Sequence, residues 1–174
     1  LPDWLKSTRQ GFSSTSRKIW FSTRTWPMRG WHVQQLRRIA IASHLQQDGL
    51  LYCDSDMLFV KPFSTQELWK DHLLRLYRKN CGINDTLPGL GKLHKGWTRH
   101  AARLNGLGEV TFPAHDYINN LVSWRRDHVV NMCRHIESVT SKHWVGAIGS
   151  KRSFSECQIY GAYVDDVVEG CGHF

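Results

Sequence analysis

A chain of 174 residues, 41% of them hydrophobic, is long enough to bury the core of one ordinary domain, and its charges are spread along its length. That composition excludes a disordered segment. Lysine and arginine total 23 against 15 aspartate and glutamate, and a formal charge of +8 draws phosphate-bearing ligands, anionic membrane surfaces and nucleic acid without choosing among them.

Residues 1–30 are basic and Ser/Thr-rich, with Trp4, Trp20 and Trp26 and no clean periodicity. They read as loops with one short strand around Ile19–Ser22. After Gly30 the spacing of Val33, Leu36, Ala40 and Ser43, widened by Ile39, predicts a helix from about Trp31 to Leu45. Gln34, Gln35, Arg37 and Arg38 fall on its flanks, and Gln47-Asp48-Gly49 ends it. Leu50–Cys53 then reads as a buried strand, with Cys53 a small core residue. Met57–Val60 reads as a second hydrophobic segment closed by Lys61-Pro62.

Ser64-Thr65-Gln66-Glu67 is a capping-box sequence, and Leu68, Trp69, Leu73, Leu74 and Tyr77 continue a predicted helix. Residues 78–95, with glycine or proline at 82, 88, 89 and 91, read as a surface loop. A short helix over Trp97–Leu104 follows, then a strand near Tyr117–Ser123. Val129, Cys133 and Ile136 give a helix over Arg125–Val139, and a final helix spans Ser155–Val164. Helices alternating with short buried strands predict one α/β layered domain over 1–174.

The chemistry concentrates at Asp54-Ser55-Asp56. In an extended chain these two carboxylates point to the same face, where like charges repel and a divalent cation relieves them. Magnesium or manganese binds through one or two carboxylates and keeps positions open for water and substrate phosphates. No phosphate-binding loop with its Gly-Lys-Ser/Thr ending occurs, and no serine or cysteine elbow marks a hydrolase. The five cysteines contain no Cys-x-x-Cys pair, which suits reduced thiols in a cytosol rather than a disulfide framework or a zinc site.

Three blocks carry a family resemblance. They are Arg29–Arg38 running into Tyr52–Asp56 and Phe59–Phe63, then Tyr117–Asp127, then Phe154–Val164. On these the chain resembles glycosyltransferases of the GT-A fold, and more narrowly the glycosyltransferase-like proteins of domain-of-unknown-function family 6492. The resemblance implies a GT-A-like, Rossmann-like mixed sheet flanked by helices, with the D-x-D at a strand end. It also implies that an N-terminal nucleotide-binding strand–helix unit, usual before the Gly-Trp helix, is missing here. The implied activity is transfer of a sugar from a nucleotide-sugar donor to a glycan, lipid-linked or protein acceptor, as in polysaccharide biosynthesis. The cofactor would be Mn2+ or Mg2+.

In that reading Asp56 ligates the metal, and Asp54 contacts it through water or takes the ribose hydroxyl. Gln34, Gln35 and Arg38 face the diphosphate, and His173 is the candidate for the C-terminal histidine of the metal shell. Glu156 is the catalytic base or an acceptor-binding carboxylate. Trp124–Asp127 with His143-Trp144 offer an acceptor platform, and Asp116 lies near the site. The implied location is the cytoplasm, at the inner face of a membrane, without a nucleic-acid partner. The rival expectations are a non-catalytic nucleotide-sugar or glycan-binding module and, last, a basic nucleic-acid binder.

Overall fold

A computed structural model describes residues 1–10, 17–84 and 91–174. Residues 85–90, within the expected surface loop, lie outside the described residues. The chain is mixed α/β, but its strands form four small antiparallel sheets. The continuous mixed sheet expected for a Rossmann-like domain is absent among the described residues.

The N-terminal part is richer in strands than its sequence suggests. Strands β1 (Lys6–Gln10), β2 (Arg17–Ser22) and β3 (Thr25–Arg29) make a three-stranded sheet in the order 1-2-3. The turn between β2 and β3 is fixed locally, because Arg24 N–H donates to Ser22 Oγ at 2.9 Å. Polar residues dominate β1 and Pro27 interrupts β3, so strand alternation is masked in the sequence. Only Met28 of the described β3 side chains is buried, and it anchors the sheet to the core.

Helix α1 (Gly30–Ile41) buries Val33, Gln35, Leu36 and Ile39. It stops four residues short of the expected Leu45. Ala42 and Ser43 N–H donate to Ile39 and Ala40 carbonyls, and Ser43 Oγ also reaches Ala40 O at 2.8 Å. The last turn therefore tightens, Ser43 stays exposed, and Ala42 rather than Ser43 completes the buried stripe.

Strand β4 (Gly49–Cys53) forms as expected, antiparallel to a strand from far along the chain, β9 (Leu121–Arg125). Leu50 faces Trp124 and Tyr52 faces Val122 in the register. Cys53 is exposed, so the core role read for it is wrong: the strand's last residue lies outside the packed layer. Met57–Val60 is also not a buried segment. Leu58 and Val60 are 81% and 83% exposed, and no strand of the described residues covers them.

The helix expected after Ser64 shrinks to one 3-10 turn, Thr65–Leu68, with Ser64 Oγ accepting from Gln66 N–H. Trp69–Lys70 and Leu73–Leu74 become a hairpin, β5 and β6, turning through Asp71 at φ 55°. Tertiary pairing overrides the local signal here. Leu74 and Leu76 N–H donate to Gly172 and Phe174 carbonyls, so the C-terminus claims this segment as an extended partner.

Part of the expected loop is also ordered as strand. β7 (Lys79–Ile83) pairs with β8 (Ala114–Asp116), and helix α2 (Gly91–Leu104) starts six residues earlier than expected. Helix α3 (Arg126–Thr140) matches its expected span within a residue, burying Val129, Met132 and Ile136 at i, i+3, i+7. It closes through Ser141 at φ 53°, a left-handed stop. Helix α4 (Trp144–Ile148) is short and not foreseen.

Helix α5 (Glu156–Ala162), with the π-turn Tyr163–Val167 behind it, is the axis of the core. Every residue of α5 is buried, including the polar Glu156 and Gln158, whose side chains bond Arg38 and Asp116. Tyr160 stacks on Trp124 with ring centroids 4.8 Å apart, and its hydroxyl accepts from Arg125 N–H at 2.8 Å. Gly161 lets the Tyr117 ring lie against the helix backbone, where a Cβ would come within 2.0 Å of it. No helix among the described residues is long and apolar enough to cross a membrane.

Two consequences can be measured. Thiol labelling of the native protein should modify the exposed Cys53, Cys81 and Cys171 and spare the buried Cys157, whose pKa burial pushes far up. Labelling of Cys157 at the same rate would contradict the packing of α5. Burial also pulls His100 and His173 down to about 4 from an ordinary 6.5. The folded state thus favours their neutral forms, so stability is full above pH 6.5 and falls as pH drops toward 4. Each contributes up to about 3 kcal/mol of that acid loss. Urea unfolding at pH 7 and pH 4.5 should show it, and His173→Gln should flatten the pH dependence while costing stability at pH 7.

Candidate functional site

One cavity of about 360 Å³ gathers most of the residues singled out by the sequence. Helix α1 contributes Trp31, Gln34, Gln35 and Arg38, the i, i+3, i+4, i+7 positions of one face. The chain leaving β4 supplies Asp54, Ser55 and Asp56, and the segment before β9 supplies Asn119 and Asn120. Trp97 and His94 come from α2, and Glu156 with Cys157 from the start of α5.

Arg38 organises the polar side of the cavity. Its Nη1 donates to Glu156 Oε1 at 3.0 Å, and its Nη2 bonds to Asp54 Oδ1. Burial by itself would lower the guanidinium pKa, but the Asp54 hydrogen bond and the two carboxylate charges raise it. Arg38 is therefore a fixed cation. Tyr52 supports it from below, donating its hydroxyl to Arg38 O at 2.7 Å with the guanidinium 5.9 Å from the ring.

Glu156 is buried, with only 6% of its side chain exposed. Burial pushes its carboxyl above the usual range, against the opposing pull of its own backbone N–H and of Arg38. Gln35 fixes the helix that carries it, with Oε1 accepting from Glu156 N–H at 3.0 Å. Gln35 Nε2 is left buried without a partner among the described residues. A buried donor left unpaired costs about 1–3 kcal/mol, so Gln35 Nε2 is available to a water or ligand in the cavity.

Asp56 is exposed and makes no ion pair among the described residues. The cavity thus holds three carboxylates against one guanidinium, and it keeps a negative balance after Arg38 has bridged two of them. Among the described residues no three of His, Cys, Asp and Glu could hold a metal together. The residues fit a magnesium- or manganese-type ion that needs one or two carboxylates and takes its other ligands from water and phosphate. They do not fit a closed structural site.

Indole and imidazole rings make the opposite wall. His94 stacks on Trp97 with centroids 4.9 Å apart, and Trp31 lies 5.8 Å from Trp97. Trp31 is half exposed and lines the cavity.

Asp54, Asp56, Gln34, Gln35, Arg38 and Glu156 are therefore brought together. His173 is not. Its ring nitrogens bond Tyr160 Oη and Leu74 O, both at 2.8 Å, so it is a structural histidine outside the cavity. The acceptor platform read at Trp124–Asp127 and His143-Trp144 does not line it either. Trp124 is 2% exposed and packs in the core, while His143 caps α4. Asp116 does lie close, 3.8 Å from His94 Nδ1. Trp31, Trp97, His94, Asn119 and Asn120 were missed. For Trp31 a signal existed, since it stands three residues before Gln34 and seven before Arg38 on the same helical face.

The sequence model of the DUF6492 family, described as a family of unknown function, matches residues 7–169. The chain belongs to this family. No curated protein and no solved structure matches it. All three blocks quoted above fall within the matched span of DUF6492, and so does the whole cavity wall.

Removing Arg38 would leave Glu156 buried beside no cation. Arg38→Met is expected to cost about 3–5 kcal/mol of unfolding free energy at pH 7. Asp54→Asn should cost under about 1 kcal/mol, because that carboxylate is 36% exposed. Urea denaturation of both variants checks the order; equal losses would contradict it.

Proposed function

We propose that the chain is a metal-dependent glycosyltransferase domain of the GT-A kind, moving a sugar from a nucleotide-sugar donor to a glycan, lipid-linked or protein acceptor. The single observation that carries this reading is the convergence of Asp56, Asp54, Arg38 and Glu156 with a tryptophan wall on one cavity. Paired indoles suit a base or sugar ring. Arginine suits a diphosphate, and carboxylates suit a metal and an acceptor hydroxyl.

On this reading the donor ring lies against the half-exposed Trp31, which the buried Trp97 backs, with amide contacts from Gln34, Asn119 and Asn120. The unpartnered Gln35 Nε2 is a donor the protein itself leaves unused. Arg38 retains guanidinium N–H groups beyond the two it spends on Asp54 and Glu156, and these face the diphosphate. A divalent metal would be held by Asp56, with Asp54 in reach through water, and would offset the charge on the departing diphosphate. Glu156 takes the proton of the acceptor hydroxyl as its oxygen bonds to the anomeric carbon. The electron pair of the breaking anomeric C–O bond leaves with the diphosphate. Alternatively Glu156 only binds the acceptor.

The five cysteines stand as free thiols, which supports the cytoplasm as the proposed compartment. The charge of +8 supports work at an anionic inner membrane face. A second reading is a non-catalytic module that binds the nucleotide sugar or a glycan. The engagement of both Asp54 and Glu156 by Arg38 favours it, because the base is then already paired.

Screening nucleotide sugars for manganese-dependent donor hydrolysis and thermal shift tests the proposal. The expected result is a Tm raised by several degrees with donor and manganese, turnover in the wild type, and a loss of about 100-fold or more in Asp56→Asn. A shift without turnover leaves the binding module. Indifference to donor, metal and substitution removes both.

A further inference from the structure

Beside the carboxylate cavity, across Trp97, lies a second and larger groove of about 740 Å³ with the opposite charge. Lys92, Arg99 and Arg103 of α2 and Lys151 and Arg152 of the loop before α5 line it, and no acidic residue does. All five are exposed. Among the described residues none of them makes an ion pair. Arg99 and Arg152 lie over the Phe112 and Trp26 rings, and Arg103 bonds His100 Nδ1 and Ser150 Oγ, so these three are held in place while their charge stays unneutralised. Five cations without a carboxylate around one concavity repel one another, a cost that an anionic occupant removes.

The floor carries a second signal. Lys92, Gly96, Arg99 and Arg103 follow one helical face, with Gly96 in the middle of the charged stripe. Glycine in a helix interior costs about 0.5–1 kcal/mol relative to alanine. Among the described residues a Cβ at Gly96 would meet no atom within 4 Å, so packing there does not require glycine. The missing side chain instead deepens the groove at its centre, where a ligand can lie against the helix backbone.

We propose that this groove binds an anionic oligosaccharide, a chain whose sugars carry carboxylate or phosphate groups, as the acceptor for the neighbouring cavity. The assignment as acceptor rests on the glycosyltransferase reading; the anionic-saccharide site itself does not. Arginine forks match carboxylate and phosphate, and the mainly apolar lining, Leu93 and the Trp97 edge among it, suits the non-polar faces of sugar rings. The stripe from Lys92 to Arg103 spans about 16 Å, the length of a short oligosaccharide rather than a long polymer contact. Nucleic acid fits less well because Trp97 is only 8% exposed and offers no face for base stacking. A bilayer fits less well because the surface is concave.

Calorimetric titration of the full chain at 50 mM salt tests the proposal, with trigalacturonate and 6-phosphorylated mannotriose as probes and neutral mannotriose as the control. At least one anionic probe should bind at least tenfold more tightly than the neutral one. Lys92→Glu/Lys151→Glu and, separately, Gly96→Leu should each weaken that binding at least tenfold. Gly96→Leu keeps the charge and improves helix propensity, so it reports on the groove and not on folding or on general attraction. Asp56→Asn should leave the affinity unchanged, so a failed donor screen and a failed groove are separate results. Absence of binding by both anionic probes overturns the proposal, as does wild-type affinity in Gly96→Leu. Tighter binding of a 20-nucleotide single strand, or of vesicles containing phosphatidylglycerol, overturns it in favour of that partner.

Discussion

The bridge that Arg38 makes between Asp54 and Glu156 holds the rest of the site in place. It links three elements distant in sequence: α1, the exit of β4 and the start of α5. Glu156 could not remain ionised in its buried position without a fixed cation, since an isolated buried carboxylate protonates instead. Gln35, three residues earlier on α1, ties down the same helix start through the Glu156 N–H. Arg38 and Gln35 tie the start of α5 to α1, while Ser155 caps it locally by accepting from Gln158 N–H. Because α5 is the axis of the core, packing and site geometry share one support.

That sharing explains why so small a set of sheets can carry a defined cavity. The strand pair β4–β9 carries the cavity segments Asp54–Asp56 and Ile118–Asn120 on its ends, with Trp124 and Tyr160 stacked in the core and Tyr117 seated on Gly161. The aromatic stack fixes α5 from the core side while the arginine bridge fixes it from the cavity side. On the outer surface the charge then divides. Acidic groups cluster on one side of Trp97 and basic groups on the other, so the two neighbouring concavities favour charges of opposite sign.

Much of this could be read in the chain, and the failures have physical causes. α1 and α3 were legible because each buries a periodic stripe against the core, and β4 because it is a short apolar run after a Gly stop. The site residues on α1 were not legible from spacing, which makes Gln34, Gln35 and Arg38 an ordinary polar flank; only the family resemblance pointed to them. The three-stranded N-terminal sheet was not, because polar residues and Pro27 hide its alternation. The segment after Ser64 shows a sound capping signal, but it pairs with the C-terminal residues Gly172–Phe174 and gives up the helix. His173 was misplaced for the same reason: a sequence cannot show that both of its nitrogens are already spent on Tyr160 and Leu74. Repulsion between Asp54 and Asp56 argued for a cation, and the chain supplies one of its own, Arg38, for the first of them.

The measurement that reaches the centre of this account is a double-mutant cycle on Arg38→Met and Glu156→Gln, read by urea unfolding at pH 7. If the bridge organises the site, removing Glu156 relieves most of the damage done by removing Arg38, and the coupling energy exceeds about 1 kcal/mol. Losses that simply add, to within about 0.5 kcal/mol, would mean the two side chains do not support one another and the account is wrong.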